Sequence, residues 1–146
     1  MYFLILFSSH NLLTIYDGND IMAPILGTFC GTEVPELLES NSNEILIHFT
    51  PGIDPKENTF NLFYQGSLKK SKYPMPIITD THKNCGEMLK LPPAGLILSP
   101  GYPGNYTNDL DCEWTIQSPP NTTILIKIFE MDIEMDIENE SESKCM

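Results

Sequence analysis

Gly95-Leu-Ile-Leu-Ser-Pro-Gly-Tyr-Pro-Gly-Asn-Tyr106, followed by Cys112-Glu-Trp-Thr-Ile116, is the stretch whose reading decides the fold. Pro100, Gly101 and Pro103 shape a turn within it, because proline presets φ and glycine accepts left-handed backbone. Glu113-Trp-Thr-Ile-Gln117 then reads as a strand and Thr123-Ile-Leu-Ile-Lys-Ile-Phe129 as the next, with the Pro119-Pro120-Asn121 turn between them. From Glu130 onward the sequence alternates with period two. Glu130, Asp132, Glu134, Asp136 and Glu138 fall on one face of a strand, and Met131, Ile133, Met135 and Ile137 on the other. Carboxylates about 7 Å apart on one face are tolerated in water or beside a cation. Past Ile137 the apolar partners stop and a solvated loop is expected; a surplus Met-Asp-Ile-Glu unit would bulge there.

Upstream the same vocabulary recurs. Leu12-Leu-Thr-Ile-Tyr16 is a short β-branched and aromatic run closed by the turn Asp17-Gly-Asn-Asp20. Ile45-Leu-Ile-His-Phe49 and Phe60-Asn-Leu-Phe-Tyr64 read as strands separated by the loop Pro51–Pro55. Glu36-Leu-Leu-Glu39 is helix-like but too short to hold a helix. Residues 67–84 read as a linker, kept extended by Pro74 and Pro76. Short strands and turns at this spacing, with helices lacking, predict an all-β sandwich. The opening Met1-Tyr-Phe-Leu-Ile-Leu-Phe7 admits two readings. It has the apolar core of a signal peptide but lacks a basic leader and a good cleavage site, so a strand is favoured. It is too short to span a bilayer.

Composition narrows the function. The 146 residues include 20 acidic residues against 8 lysines and no arginine, a net charge of −12. That excludes nucleic acid as a partner, since phosphate binding requires clustered cationic side chains. It leaves basic protein patches or cations, with solubility as the plainest account. Four cysteines suit two disulfides in an oxidising compartment. CxxC, HExxH and Gly-x-Ser-x-Gly patterns are missing, and His10, His48 and His82 read as isolated, with His48 turned to solvent. Paired carboxylates on one exposed strand lack a pocket to separate their pKa values, so the chain reads as a non-enzyme.

The deciding stretch resembles the opening half of a CUB domain. That family begins on Cys-Gly, matched by Cys85-Gly86, and continues through Gly-x-Ile-x-Ser-Pro-x-Tyr-Pro-x-x-Tyr to Cys-x-Trp-x-Ile, matched by Gly95–Tyr106 and Cys112–Ile116. Met135-Asp-Ile-Glu138 before Cys145 resembles the acidic landmark ahead of the family's third cysteine. Leu13-Thr-Ile-Tyr-Asp-Gly18, Cys30-Gly31, Ile45–Phe49 and Phe60–Tyr64 resemble the closing half in order. The expected organisation is therefore 1–66 as the C-terminal half of a CUB-like domain, 67–84 as linker and 85–146 as the N-terminal half. The chain reads as a fragment spanning the end of one CUB domain and the start of the next.

The resemblance implies an antiparallel, jelly-roll-like β-sandwich with Trp114 as its core anchor. It implies disulfides Cys85–Cys112 and Cys30–Cys145. The two halves complement each other, so one circularly permuted sandwich assembled from both is one expectation; the competing account is truncation, each half belonging to a neighbouring complete CUB domain, with half-domain swapping between two chains also open. The implied function is an extracellular protein- or ligand-binding module. The alternative is an accessory CUB region of a secreted metalloprotease whose catalytic domain lies elsewhere. Partners would be an extracellular protein or a glycan-bearing ligand, and the location secreted or the extracellular part of a larger protein. The one cofactor implied is calcium, with Glu138 as ligand and Tyr106 as its support. The family's aspartate after the third cysteine falls beyond Met146, or on Asn11 if the first segment is aligned, and its Ser-Asp falls on Pro51-Gly52 with Asp54 two residues later, so a solvated acidic edge is the favoured reading. Asn105, Asn121 and Asn139 head Asn-x-Ser/Thr triplets and are glycosylation candidates, Asn121 foremost because its turn should be exposed.

Overall fold

Apolar side chains at every second position give each strand one face that water disfavours, and two such sheets bury those faces against each other. The computed structural model describes residues 12–50, 59–68, 80–90, 94–104 and 111–133. Its strands are β1 (Leu12–Tyr16), β2 (Ile25–Phe29), β3 (Leu38–Glu39), β4 (Glu44–Thr50) and β5 (Thr59–Leu68). After them come β6 (Thr81–His82), β7 (Glu87–Lys90), β8 (Ala94–Leu98), β9 (Cys112–Gln117) and β10 (Thr122–Asp132). One sheet runs β2-β1-β4-β9-β7 and the other β3-β10-β5-β8-β6. The all-β sandwich expected from the sequence is what forms.

Both sheets draw strands from both halves of the sequence. In the first, β4 pairs antiparallel with β9, setting Ile45 against Ile116, Ile47 against Trp114 and Phe49 against Cys112. In the second, β5 lies between β10 and β8, both from the later half. The halves thus interleave. The core is where their apolar faces meet: Ile45, Ile47 and Phe49 from β4, Trp114 and Ile116 from β9, Phe60, Leu62 and Tyr64 from β5, and Ile124, Ile126 and Ile128 from β10. Phe60 stands edge-on to Phe49 at 5.1 Å and to Trp114 at 5.7 Å between ring centroids, in the T-shaped geometry aromatic quadrupoles favour. Each fully buried large side chain contributes about 1.5–3 kcal/mol by removal from water.

Several expectations need correction. The sandwich is not antiparallel throughout, because β6 pairs parallel with β8 and β7 parallel with β9. The chain reaches β7 from β6 in the opposite sheet and leaves it for β8 there, so no hairpin constrains its direction. Glu36–Glu39 is no helical turn; Leu38 and Glu39 pair with Ile126 and Leu125 as β3. The stretch read as linker is strand at both margins, since β5 continues to Leu68 and Thr81–His82 forms β6. Along β10 the period-two reading holds to Ile133, with Met131 and Ile133 buried and Glu130 and Asp132 exposed. The register slips between Ile128 and Glu130. Phe129 is the extra residue of that bulge, which is why Phe129 and Glu130 both face outward while the inward set continues. Residues 134–138 of the acidic run, the Met1–Phe7 segment and the Pro51–Pro55 loop lie outside the described residues.

Candidate functional site

Turn chemistry and strand edges, rather than the core, place the polar groups. At the end of β1 the Asp17 carboxylate is held by four donors from the turn between β3 and β4. Oδ2 accepts from the Asn41 backbone N–H and side-chain amide, each at 3.0 Å. Oδ1 accepts from the Ser42 N–H at 3.0 Å and its hydroxyl at 2.7 Å. Partial burial pushes this carboxyl up, but the hydrogen bonds from Ser42 and Asn41 outweigh it and hold the group below its ordinary range. The Asp17 N–H also donates to the Pro24 carbonyl, closing the β1–β2 turn. The tip so fixed leaves Ile21 and Met22 in water, Met22 at 87% exposure. Residues 17–44 carry six acidic side chains and no lysine, arginine or histidine. Sequence reading took Asp17 for a turn former only; the available signal was that one-signed composition beside Ile21-Met22.

Two histidines read as isolated are not. His48, on the outer face of the first sheet, has Nε2 2.5 Å from Asp111 Oδ1 and 4.0 Å from Glu113 Oε1, and its side chain is only 20% exposed. It points outward as expected but is roofed by acidic neighbours. His82 bridges Tyr64 and Glu87, with Nε2 2.9 Å from the Tyr64 hydroxyl and Nδ1 3.3 Å from Glu87 Oε2. The order Tyr–His–Glu mimics a nucleophile–base–acid chain. Burial, with Asp80 and Glu87 nearby, pushes the Tyr64 hydroxyl far up, the opposite of what an attacking phenolate needs. Gly95 makes the arrangement fit, because a Cβ there would meet the Tyr64 ring and hydroxyl. The Trp114 indole N–H donates to the Asn84 carbonyl at 3.1 Å in the same corner. This cluster ties the start of the later half to β5.

Cys85 and Cys112 are bonded, with Cα atoms 4.9 Å apart. Cys30 is disulfide-bonded as well; its expected partner Cys145 lies outside the described residues. Asn121 is exposed in the β9–β10 turn, at φ 65°. The hydroxyls around it are engaged within the fold, Thr122 with Ser118 and Pro119, and Thr123 with Glu39. Glu138, Tyr106, Asn105 and Asn139 lie outside the described residues. Among the described residues, no group of three or more His, Cys, Asp or Glu is placed to hold a metal. No helix there is long and apolar enough to cross a membrane.

Comparison with known proteins gives a consistent picture. The family model for the CUB domain matches residues 7–64 and 85–144. Cubilin of Sus scrofa is 34% identical over 126 residues, and cubilin of Homo sapiens 33% over the same length. Neuropilin-2 of Rattus norvegicus is 28% identical over 136 residues. These alignments cover 86% of this chain for the cubilins and 93% for neuropilin-2. They span only 3% of cubilin and 13% of neuropilin-2. No solved structure matches the chain.

Proposed function

The chain belongs to the CUB domain family, and from that premise we propose that it acts as an extracellular, non-catalytic binding module within a larger protein. The observation that carries this reading is the interleaved sandwich, built from both matched segments and closed by Cys85–Cys112. A structural disulfide belongs to an oxidising compartment, which supports the extracellular placement. The exposed rim at the β1–β2 turn and the outer face of the first sheet supply recognition surface, and the buried polar clusters are spent on holding segments together. In a secretory host the chain should accumulate with Cys85–Cys112 intact and show no turnover of peptide substrates. On a biosensor it should bind a purified extracellular protein saturably and lose that binding on reduction. Robust peptide turnover, or no saturable binding across a broad panel of such proteins, contradicts the reading.

One modification of the module is proposed with it, and one ligand of the family is put to the test. Asn121 carries an N-glycan, supported by its exposed turn, and a mass shift removed by glycosidase and by Asn121→Gln tests this. Calcium binding at Glu138 and Tyr106 is tested by melting temperature. A site would give a rise with calcium at micromolar to low millimolar levels and a smaller one with magnesium. With Pro51-Gly52 standing where the family has Ser-Asp, the expected result is no calcium-specific shift.

A further inference from the structure

A β-bulge re-aims side chains, and the bulge in β10 turns two neighbours out of the sandwich together. Phe129 and Glu130 both face outward from the second sheet, and Asp132 follows on the same face. Phe129 is 42% exposed, and its ring lies tilted against buried Phe63 with 6.0 Å between centroids. The ring is therefore braced on the sheet yet open to solvent. Glu130 is positioned as well, because the Tyr102 hydroxyl donates to its Oε2 at 2.7 Å. Tyr102 is itself fixed. Its N–H donates to the Ser99 carbonyl at 3.0 Å, and buried Ser99 trades hydrogen bonds with the Phe60 backbone of β5. The cluster is short of donors. Glu130 Oε1 and the Asp132 carboxylate accept from no described residue. Asn61, opposite Glu130 in register and on the same face, has a buried Oδ1 with no donor among the described residues.

We propose that this bulge is a docking point for an arginine of a partner protein, its guanidinium stacked on Phe129 and forked onto the Glu130 carboxylate. The inference rests on the binding-module reading and supplies a contact point and a partner chemistry within it. A guanidinium brings five N–H donors in one plane, stacks on an aromatic ring and meets a carboxylate through two parallel hydrogen bonds. Phe63 and Tyr102 hold both receiving groups before the arginine arrives, which lowers the ordering cost of binding. The charge is complementary. Lys127 is the only cation of β10, against Glu130 and Asp132, and the net charge of −12 draws cationic partners. Composition decides the occupant. The chain contains no arginine, so neither a second copy nor another stretch of this chain can bring a guanidinium to the bulge.

The probe is the peptide acetyl-Gly-Arg-Gly-amide, titrated against the isotope-labelled chain and followed by NMR. Exposed contacts of this kind are weak one at a time, so saturation is expected at about millimolar peptide. Shifts should concentrate on Phe129, Glu130 and Tyr102. The citrulline analogue, neutral and of the same shape, should not bind, and the lysine analogue should bind at least threefold more weakly. Phe129→Ala and Glu130→Gln should each weaken the arginine peptide at least threefold. Tyr102→Phe, which frees the carboxylate, should weaken it by less, and Glu113→Gln on the opposite sheet should leave it unchanged. Melting curves and the intact Cys85–Cys112 bond confirm that each variant is folded. No arginine binding, equal binding of the lysine or citrulline peptide, or binding indifferent to Phe129→Ala and Glu130→Gln overturns the proposal. A folded chain that ignores arginine yet binds another extracellular protein overturns this inference alone and leaves the module reading intact.

Discussion

The seam where the two sequence halves meet and the rim spanning residues 17–44 follow opposite rules. At the seam, the inward faces of β4 with β9 and of β5 with β10 bring uncharged side chains together out of water, with Phe60 in edge contact with both Phe49 and Trp114. At the rim, aliphatic and acidic side chains share the surface, and polar contacts such as those of Asp17 hold the shape. The seam determines whether the chain folds, and the rim has room to vary for recognition. A change at the seam should therefore act on stability and one at the rim on binding.

The largest expected effect comes from emptying the seam. Trp114→Ala removes the largest fully buried side chain and strands its neighbours around a cavity, at about 3–5 kcal/mol, read as a drop in urea midpoint. Next is the clasp at the seam's border. Cys85→Ser with Cys112→Ser opens a loop of sequence separation 27, which the chain-entropy relation values at about 3.5 kcal/mol, visible in the melting temperature.

Asp17→Ala should cost less, about 1–2 kcal/mol at neutral pH, because the lost hydrogen bonds are partly solvated. Its pH dependence has a definite sign. The folded-state pKa lies below the ordinary 3.8, so the Asp17 contribution is complete above that value. It disappears as pH falls through the lower folded value. Wild-type and variant stabilities, measured by denaturant titration across acid pH, should converge there; a gap that persists or widens would mean the carboxylate is not the source. The smallest effect belongs to the rim. Glu36→Lys should change stability by less than about 0.5 kcal/mol, and a larger loss would show the rim to be part of the load of the fold.

How much was legible in the sequence follows the same division. β1, β4, β5, β9 and the start of β10 were readable because each sends alternate residues into the shared core and is built of apolar, β-branched or aromatic residues. β7 was not, since Glu87-Met-Leu-Lys90 buries Leu89 alone and its charged ends look like loop. β3 is two residues defined by pairing with β10, and no local signal announces a partner more than eighty positions away. Among site residues, Cys85 and Cys112 came from a dense motif. The Asp17 latch and the Tyr64–His82–Glu87 chain did not, because their partners meet only when the sandwich closes.

The central claim is that both halves form one sandwich within a single chain. Trp114, the chain's sole tryptophan, lies in the later half and pairs with Ile47 of the earlier one. Unfolding followed through Trp114 fluorescence in Ile47→Ala, on material shown by light scattering to be monomeric, tests the claim most directly. The account predicts one cooperative transition destabilised by about 2–5 kcal/mol relative to wild type. A Trp114 transition indifferent to Ile47→Ala, or folded material found only as a dimer, would contradict it.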